Sequence, residues 1–151
     1  MTDPARPLAE RVRDTLVLLG SEVDAWYATT DGTRPWLVPL TFAWVDGAVV
    51  AVTAARSRTV RNLAAYPDVR ISLGRTRDVV LLDGRAVVGG LDGLSPAALD
   101  LLTRKLDSDP RSWADAAIVV RPSRVQAWRE ENELADRVVL SGGQWLAEPA
   151  P

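Results

Sequence analysis

The stretch LVPLTFAWVDGAVVAVTAARSRTVRNLAAYPDVRISLG, Leu37 to Gly74, decides the fold. Its first part, with Pro35 and Trp36 ahead of it, reads as a strand to Val45. Asp46-Gly47 is a two-residue turn signal, and AVVAVT returns as a second strand, the clearest hairpin in the chain. Pro39 has no N–H to donate, so it fits only at an edge or a bulge, and the sheet is expected to be interrupted there. SRTVRNLAAY then reads as a short helix, capped by Ser57 or Thr59 and ended by Pro67. VRISLG alternates apolar Val69, Ile71 and Leu73 with polar residues, as a half-buried strand does. Three arginines, Arg56, Arg58 and Arg61, crowd within six residues at the junction of loop and helix. Like charges at that spacing repel unless something anionic lies among them.

Working outward, Leu8, Val12, Leu16 and Leu19 recur at helical spacing, with Pro7 suited to the first turn and Gly20 to the stop. EVDAWYAT reads as a strand ended by Asp31-Gly32. DVVLLDGRAVVGG is a long strand with a bend expected at Gly84. SPAALDLLTRKL is a helix with Ser95 as cap and Pro96 first, turning Leu99, Leu102 and Leu106 inward. AAIVVRPSRVQAWRE gives two strands around Arg121-Pro122, and RVVL a last short one. Seven or eight short strands with three helices, and no βαβ repeat, predict a small closed or partly closed antiparallel barrel with helices outside.

The 151 residues form one expected domain, 1–151, with its core between about 8 and 146. A net charge of −2 argues against nucleic acid and anionic membrane as partners. No apolar run reaches the ~18 residues of a membrane span, and the polar N-terminus is not a signal peptide, so a cytoplasmic location is expected. The chain has no Cys and no His, which removes disulfides, thiolate chemistry, Ser-His-Asp triads and the usual zinc ligands. Lys105 is the single lysine. General acid-base work falls to Asp, Glu, Tyr or water, so an enzyme of this composition would borrow its reactive group from a cofactor.

A helix N-terminus binds phosphate readily, and arginine matches phosphate geometry with two donors at once. Thr53, Arg56, Ser57, Arg58, Arg61 and Asn62 therefore compose a candidate anion grip; the same pattern also describes a solvated, arginine-rich turn. It is neither a Walker loop nor GxGxxG.

The order LVPLTFAW, VDG, AVVAVT, ARSRTVRNL, YPDVRISLG, then RDVVLLDGRAVV and RPSRVQAWRE, resembles the pyridoxamine 5′-phosphate oxidase-like, FMN-binding split-barrel family, from about Leu8 to Leu146. The resemblance implies a mainly β chain with flanking helices, folded as an antiparallel split β-barrel of the FMN-binding type. It implies a homodimer with cofactor sites at the subunit interface, and a flavin- or deazaflavin-dependent oxidoreductase with hydride transfer at flavin N5 and a small-molecule substrate. The cofactor would be FMN, or alternatively a deazaflavin coenzyme. Its ring would lie along Val38, Pro39, Leu40 and Thr41, and its phosphate by Thr53 and Arg56 to Thr59, with Arg61 and Asn62 near. Many relatives carry Lys where this chain has Thr59, a departure that lowers the charge of the grip. The alternative is a non-catalytic homodimer that binds FMN or another anion as carrier or sensor. Lacking His, the chain is not expected to be the biosynthetic oxidase itself.

Six tryptophans are an unusual share for this length. Core and dimer packing is their default role, with Trp36 or Trp44 as a wall of the site and Trp128 or Trp145 reaching a partner's. Tyr27 and Tyr66 read as packing residues. REENELADR (129–137), with Glu130 and Glu133, reads as a solvated turn, and DSDPRSWAD, with Asp107 and Asp109, as a polar loop without the ligands of a calcium site. No metal site is expected.

Overall fold

The computed structural model describes residues 3–151. Helix α1 (Leu8–Ser21) leads into β1 (Asp24–Thr30), β2 (Pro35–Val45) and β3 (Ala48–Thr53). Helix α2 (Arg58–Ala65) precedes β4 (Asp68–Arg75) and β5 (Asp78–Gly89); α3 (Pro96–Leu106) precedes β6 (Ala116–Trp128), β7 (Val138–Ser141) and β8 (Gln144–Trp145). The strands run β3-β2-β1-β4-β5-β6, and β3 pairs with β6 to close a six-stranded antiparallel barrel; β7 and β8 extend the sheet beyond β6.

The hairpin closes at Asp46-Gly47, both at positive φ (51° and 73°), the geometry of a primed two-residue turn. Strand β3 is apolar and buried from Ala48 to Val52, as a strand covered on both faces must be. Val49 and Ala51 face the barrel interior with Tyr27, Phe42, Ile71, Leu82 and Ile118, while Ala48, Val50 and Val52 face Ala98 and Leu102 of α3. Helix α1 packs Val12 and Leu19 against the interior cluster, and α2 packs Val60 and Leu63 against it. In α3, Leu102 is fully buried and Leu106 packs beside it, but the inward neighbour one turn earlier is Ala98 rather than Leu99.

Two strand expectations change. The segment around Arg121-Pro122 is one strand, β6, not two: Gly84 pairs with Pro122 and Asp83 with Arg124, leaving Ser123 as a bulge that absorbs the proline. The bend in β5 falls at that same point, where a side chain on Gly84 would strike the Arg121 carbonyl and Val120. Strand β2 is likewise unbroken at Pro39; the interruption lies in its pairing instead. No helix among the described residues is long and apolar enough to cross a membrane.

Candidate functional site

Strands β2 and β3 pair only from Phe42↔Ala51 to Val45↔Ala48. Before Phe42, β2 keeps β1 as its neighbour while Val52 and Thr53 turn to Ala117 and Ala116 of β6. The barrel is therefore split along one seam. Phe42 N–H donates to Val23 O at 3.0 Å, so by the alternation of an antiparallel ladder Leu40 and Val38 also bond towards β1. The backbones of Leu37 and Pro39 face the open side, and the Thr41 carbonyl meets β3 where the ladder begins. Pro39 sits where no strand asks for its missing N–H, which is why the strand survives it. Val38 and Leu40 pack their side chains against the barrel core. Pro39 is exposed, and Thr41 Oγ1 donates to Asp24 Oδ1 at 2.6 Å.

Thr53 ends β3 beside this seam, and the arginine turn follows directly. Ser57, not Thr59, caps α2: its Oγ accepts from Val60 N–H at 3.2 Å. Thr59 is buried, its Oγ1 accepting from Trp36 Nε1 at 3.3 Å. Asn62 is buried as well and donates to Thr29 Oγ1 at 3.0 Å. These two residues tie α2 to β2 and β1. Arg58 donates to Asp31 Oδ2 at 3.2 Å and lies over the Trp36 ring at 4.5 Å. Arg61 donates to the Arg56 carbonyl at 2.6 Å. Arg56 itself is exposed, with no ion pair among the described residues. Asp115 Oδ1 accepts the Ala55 N–H at 2.5 Å, and Asp115 N–H donates to Thr53 O at 3.3 Å.

Of the crowded arginines, Arg58 has a carboxylate partner, Asp31, while Asp115 holds the Ala55 amide of the same turn. Asp31 is held below its ordinary pKa by the backbone N–H groups of Arg34 and Thr33, with Arg58 adding to the effect, and it is ionised at neutral pH. In the sequence Asp31 signalled only a turn, and Asp115, 60 residues from its partner amide, signalled nothing. Trp36 joins the two halves of the site: its indole nitrogen reaches Thr59 and its face carries Arg58. Trp44 and Trp145 are half-buried and pack against the core cluster, and Trp128 lies under Arg137 at 5.6 Å.

Two further residues depart from expectation. Glu133 is buried, not solvated: its carboxylate holds Arg6 through three hydrogen bonds of 2.8–3.0 Å. Tyr66 is 47% exposed, whereas Tyr27 is wholly inside the barrel. Larger concavities lie away from the seam. One of about 570 Å³ lies between Arg6, Arg11 and Asp136, and one of about 540 Å³ between Ala28, Arg70 and Asp83.

No protein-family model matches the chain, and no curated protein matches it in sequence. Solved structures do match it. A protein from Listeria innocua, provisionally assigned as a pyridoxamine 5′-phosphate oxidase, is 12% identical with a TM-score of 0.62, over 79% of this chain and 99% of that one. An F420 reductase is 22% identical with a TM-score of 0.60, over 72% and 93%. A heme-binding protein from Mycobacterium smegmatis is 24% identical with a TM-score of 0.66, over 95% of this chain and 60% of that one. At these identities the likeness is one of fold: the chain is a split β-barrel of the kind seen in pyridoxamine 5′-phosphate oxidase-like proteins.

Proposed function

We propose that this chain is a flavin- or deazaflavin-dependent oxidoreductase that works as a homodimer. The observation that carries the reading is the open edge of β2, Leu37 to Thr41, set beside the arginine turn. Free backbone N–H and C=O groups on that edge suit the polar rim of an isoalloxazine or deazaflavin ring, and an exposed arginine with small neighbours Ala54 and Ala55 suits its phosphate. Val38 to Thr41 would lie against the ring through their backbone. Thr53, Arg56, Ser57, Arg58 and Arg61 would surround the phosphate end, with Thr59 and Asn62 behind them as struts. When bound, the ring supplies hydride transfer at its centre, N5 in a flavin. The chain's own part is to orient the ring, to hold Arg58 over Trp36 as a wall, and to leave the open side to substrate. Asp31, ionised and bonded, is not placed to donate a proton, so protonation falls to water.

The dimer reading rests on an uncovered apolar face. Trp26 pairs with Pro39 and Ala28 with Leu37 on the outer side of β1 and β2, and Trp26 and Leu37 are 50% and 58% exposed. A second copy laid there would border the seam and complete its walls.

One observation favours the second reading, a carrier or sensor without catalysis: Thr59 and Asn62 spend their polar atoms inside the protein. Haem has less behind it, since the chain offers neither His nor Cys to the iron. Titration with FMN and with F420, followed by quenching of ligand fluorescence, tests the cofactor. No binding at tens of micromolar sinks both readings. Arg56→Ala should weaken FMN about tenfold and leave riboflavin unchanged. Turnover with nicotinamides, quinones or enones then separates enzyme from carrier.

A further inference from the structure

Helix α1 begins without a side-chain cap. Pro7 holds the N-cap position, and no side chain accepts from the N–H groups of the first turn, so the positive end of the helix is left without an anion. Arg11, one turn further in, adds a full charge at the same end. The residue is 5% exposed, yet its guanidinium meets only carbonyls: Nε donates to Arg6 O at 3.2 Å and Nη1 donates to Asp136 O. Nη2 has no hydrogen-bond partner, and Arg11 no ion pair, among the described residues. The carboxylates around it are engaged elsewhere. Glu133 holds Arg6 at 2.8 Å, Asp14 holds Arg6 and Arg13 at 2.8 Å each, and Glu10 holds Arg13 at 3.4 Å. Asp136 is exposed and gives Arg11 its carbonyl, while its carboxylate enters no ion pair among the described residues. A guanidinium withdrawn from water without a counter-charge is costly.

Arg11 lines the concavity of about 570 Å³ between α1 and the segment that joins β6 to β7, where Pro7, Leu8, Val138 and Leu146 supply apolar walls. Among the described residues, the Tyr27 hydroxyl is the one side-chain nitrogen or oxygen that is both sealed and unpartnered. Arg11 Nη2, which is unpartnered, is therefore not sealed, and the concavity is the opening that Arg11 lines. We propose that this concavity is a binding site for a monocarboxylate with an apolar body, separate from the seam and independent of the cofactor reading. The carboxylate would take the free edge of the Arg11 guanidinium, whose planar donors match two oxygens at once, at the uncapped end of α1. The apolar body would lie on Leu8, Val138 and Leu146. A single unpaired cation inside, with the exposed Asp136 on the same lining, suits one negative charge better than two. The apolar walls suit a carbon chain or ring better than a free inorganic anion.

The test titrates the full, isotope-labelled chain with hexanoate, hexanamide, acetate and inorganic phosphate, and follows backbone amide shifts by NMR. Hexanoate should bind about tenfold more tightly than hexanamide, which keeps the shape and loses the charge. It should also bind about tenfold more tightly than acetate or phosphate, which lack the apolar body. Its shifts should centre on Leu8 to Arg11 and Ala135 to Val138, not on Thr53 to Arg61. Arg11→Met should erase the preference of hexanoate over hexanamide. If that variant loses the native dichroism spectrum, Leu146→Glu and Leu146→Gln decide in its place, because Leu146 is 49% exposed on the wall and tolerates either. Glutamate should weaken hexanoate about tenfold relative to glutamine, with hexanamide bound alike by both. The assignment is overturned by equal binding of hexanoate and hexanamide, by phosphate binding more tightly than hexanoate, or by shifts confined to the arginine turn. It is overturned equally by a Leu146 pair that binds hexanoate alike, or by no binding of hexanoate at about 10 mM.

Discussion

Replacing Glu133 by Gln should loosen the N-terminal segment from the barrel, and the structure sets the scale. Oε1 of Glu133 accepts from Arg6 N and Nε at 3.0 and 2.9 Å; Oε2 accepts from Arg6 Nη2 and Arg129 N, both at 2.8 Å. The side chains of Arg6 and Glu133 are 8% and 4% exposed. Glutamine keeps one of the two oxygens, so about half of these donors face an amide that cannot accept. Arg6 keeps Asp14 at 2.8 Å as its remaining partner. Breaking a buried pair costs about 3–5 kcal/mol, and the retained aspartate places this case near 3 kcal/mol. At about 2–4 °C per kcal/mol for a chain of this size, Tm should fall by roughly 6–12 °C at pH 7. The Arg6 hydrogen bonds lower the Glu133 pKa from 4.5 to about 2. A depressed carboxylate contributes stability that is present above its unfolded pKa and lost as pH falls through the folded one. The difference between native and variant should therefore hold down to about pH 5 and shrink between pH 4.5 and 2. Thermal unfolding followed by far-ultraviolet circular dichroism at pH 7, 5, 4, 3 and 2 measures it. A loss below about 1 kcal/mol at pH 7, or a gap that does not narrow in acid, refutes the reasoning.

Three other outcomes follow from single contacts. The hydroxyl of Tyr27 is buried without a partner, and burial pushes its pKa up, so Tyr27→Phe should raise stability by about 1 kcal/mol in urea; a decrease would mean that the hydroxyl is bonded in solution. Lys105 Nζ donates to the carbonyls of Glu22 and Phe42 at 2.6 and 2.9 Å, and Lys105→Met should cost about 2 kcal/mol by leaving both without that donor. An unchanged urea midpoint would show that water replaces it. In the proposed dimer, Trp26→Asp should give a monomer in sedimentation while leaving the dichroism spectrum native, because the side chain is half exposed in the single chain; a native chain that sediments as a monomer, or a variant of unaltered dimer mass, overturns the proposed face.

Much of the fold was legible because it rests on near neighbours. The Asp46-Gly47 turn, the Ser57 and Ser95 caps and the bend at Gly84 each depend on residues within a few positions or on one backbone property. The site was legible in part. The arginine turn and the β2 segment stood out, but their polarity was read from one side only. Thr59 and Asn62 looked like donors to a ligand, yet both are buried, Thr59 accepting from Trp36 and Asn62 donating to Thr29 of β1. Pro122 looked like a strand end because a proline usually is; it pairs with Gly84 inside one continuous strand, and Ser123 beside it is the bulge.

The sequence by itself determined the order of elements, the hairpin, the crowding of positive charge at α2 and, through the absence of His and Cys, the dependence of any redox chemistry on a cofactor. Only the tertiary structure decided where the barrel splits, that Arg58 is paired with Asp31, and that Asp115 holds the Ala55 amide. Asp115 reaches Ala55 across 60 residues and Glu133 reaches Arg6 across 127. Local patterns record what a residue prefers of its own backbone and of neighbours three or four positions away. Charge compensation depends on distance in space, and closure of the barrel alone brings these partners within a few ångströms.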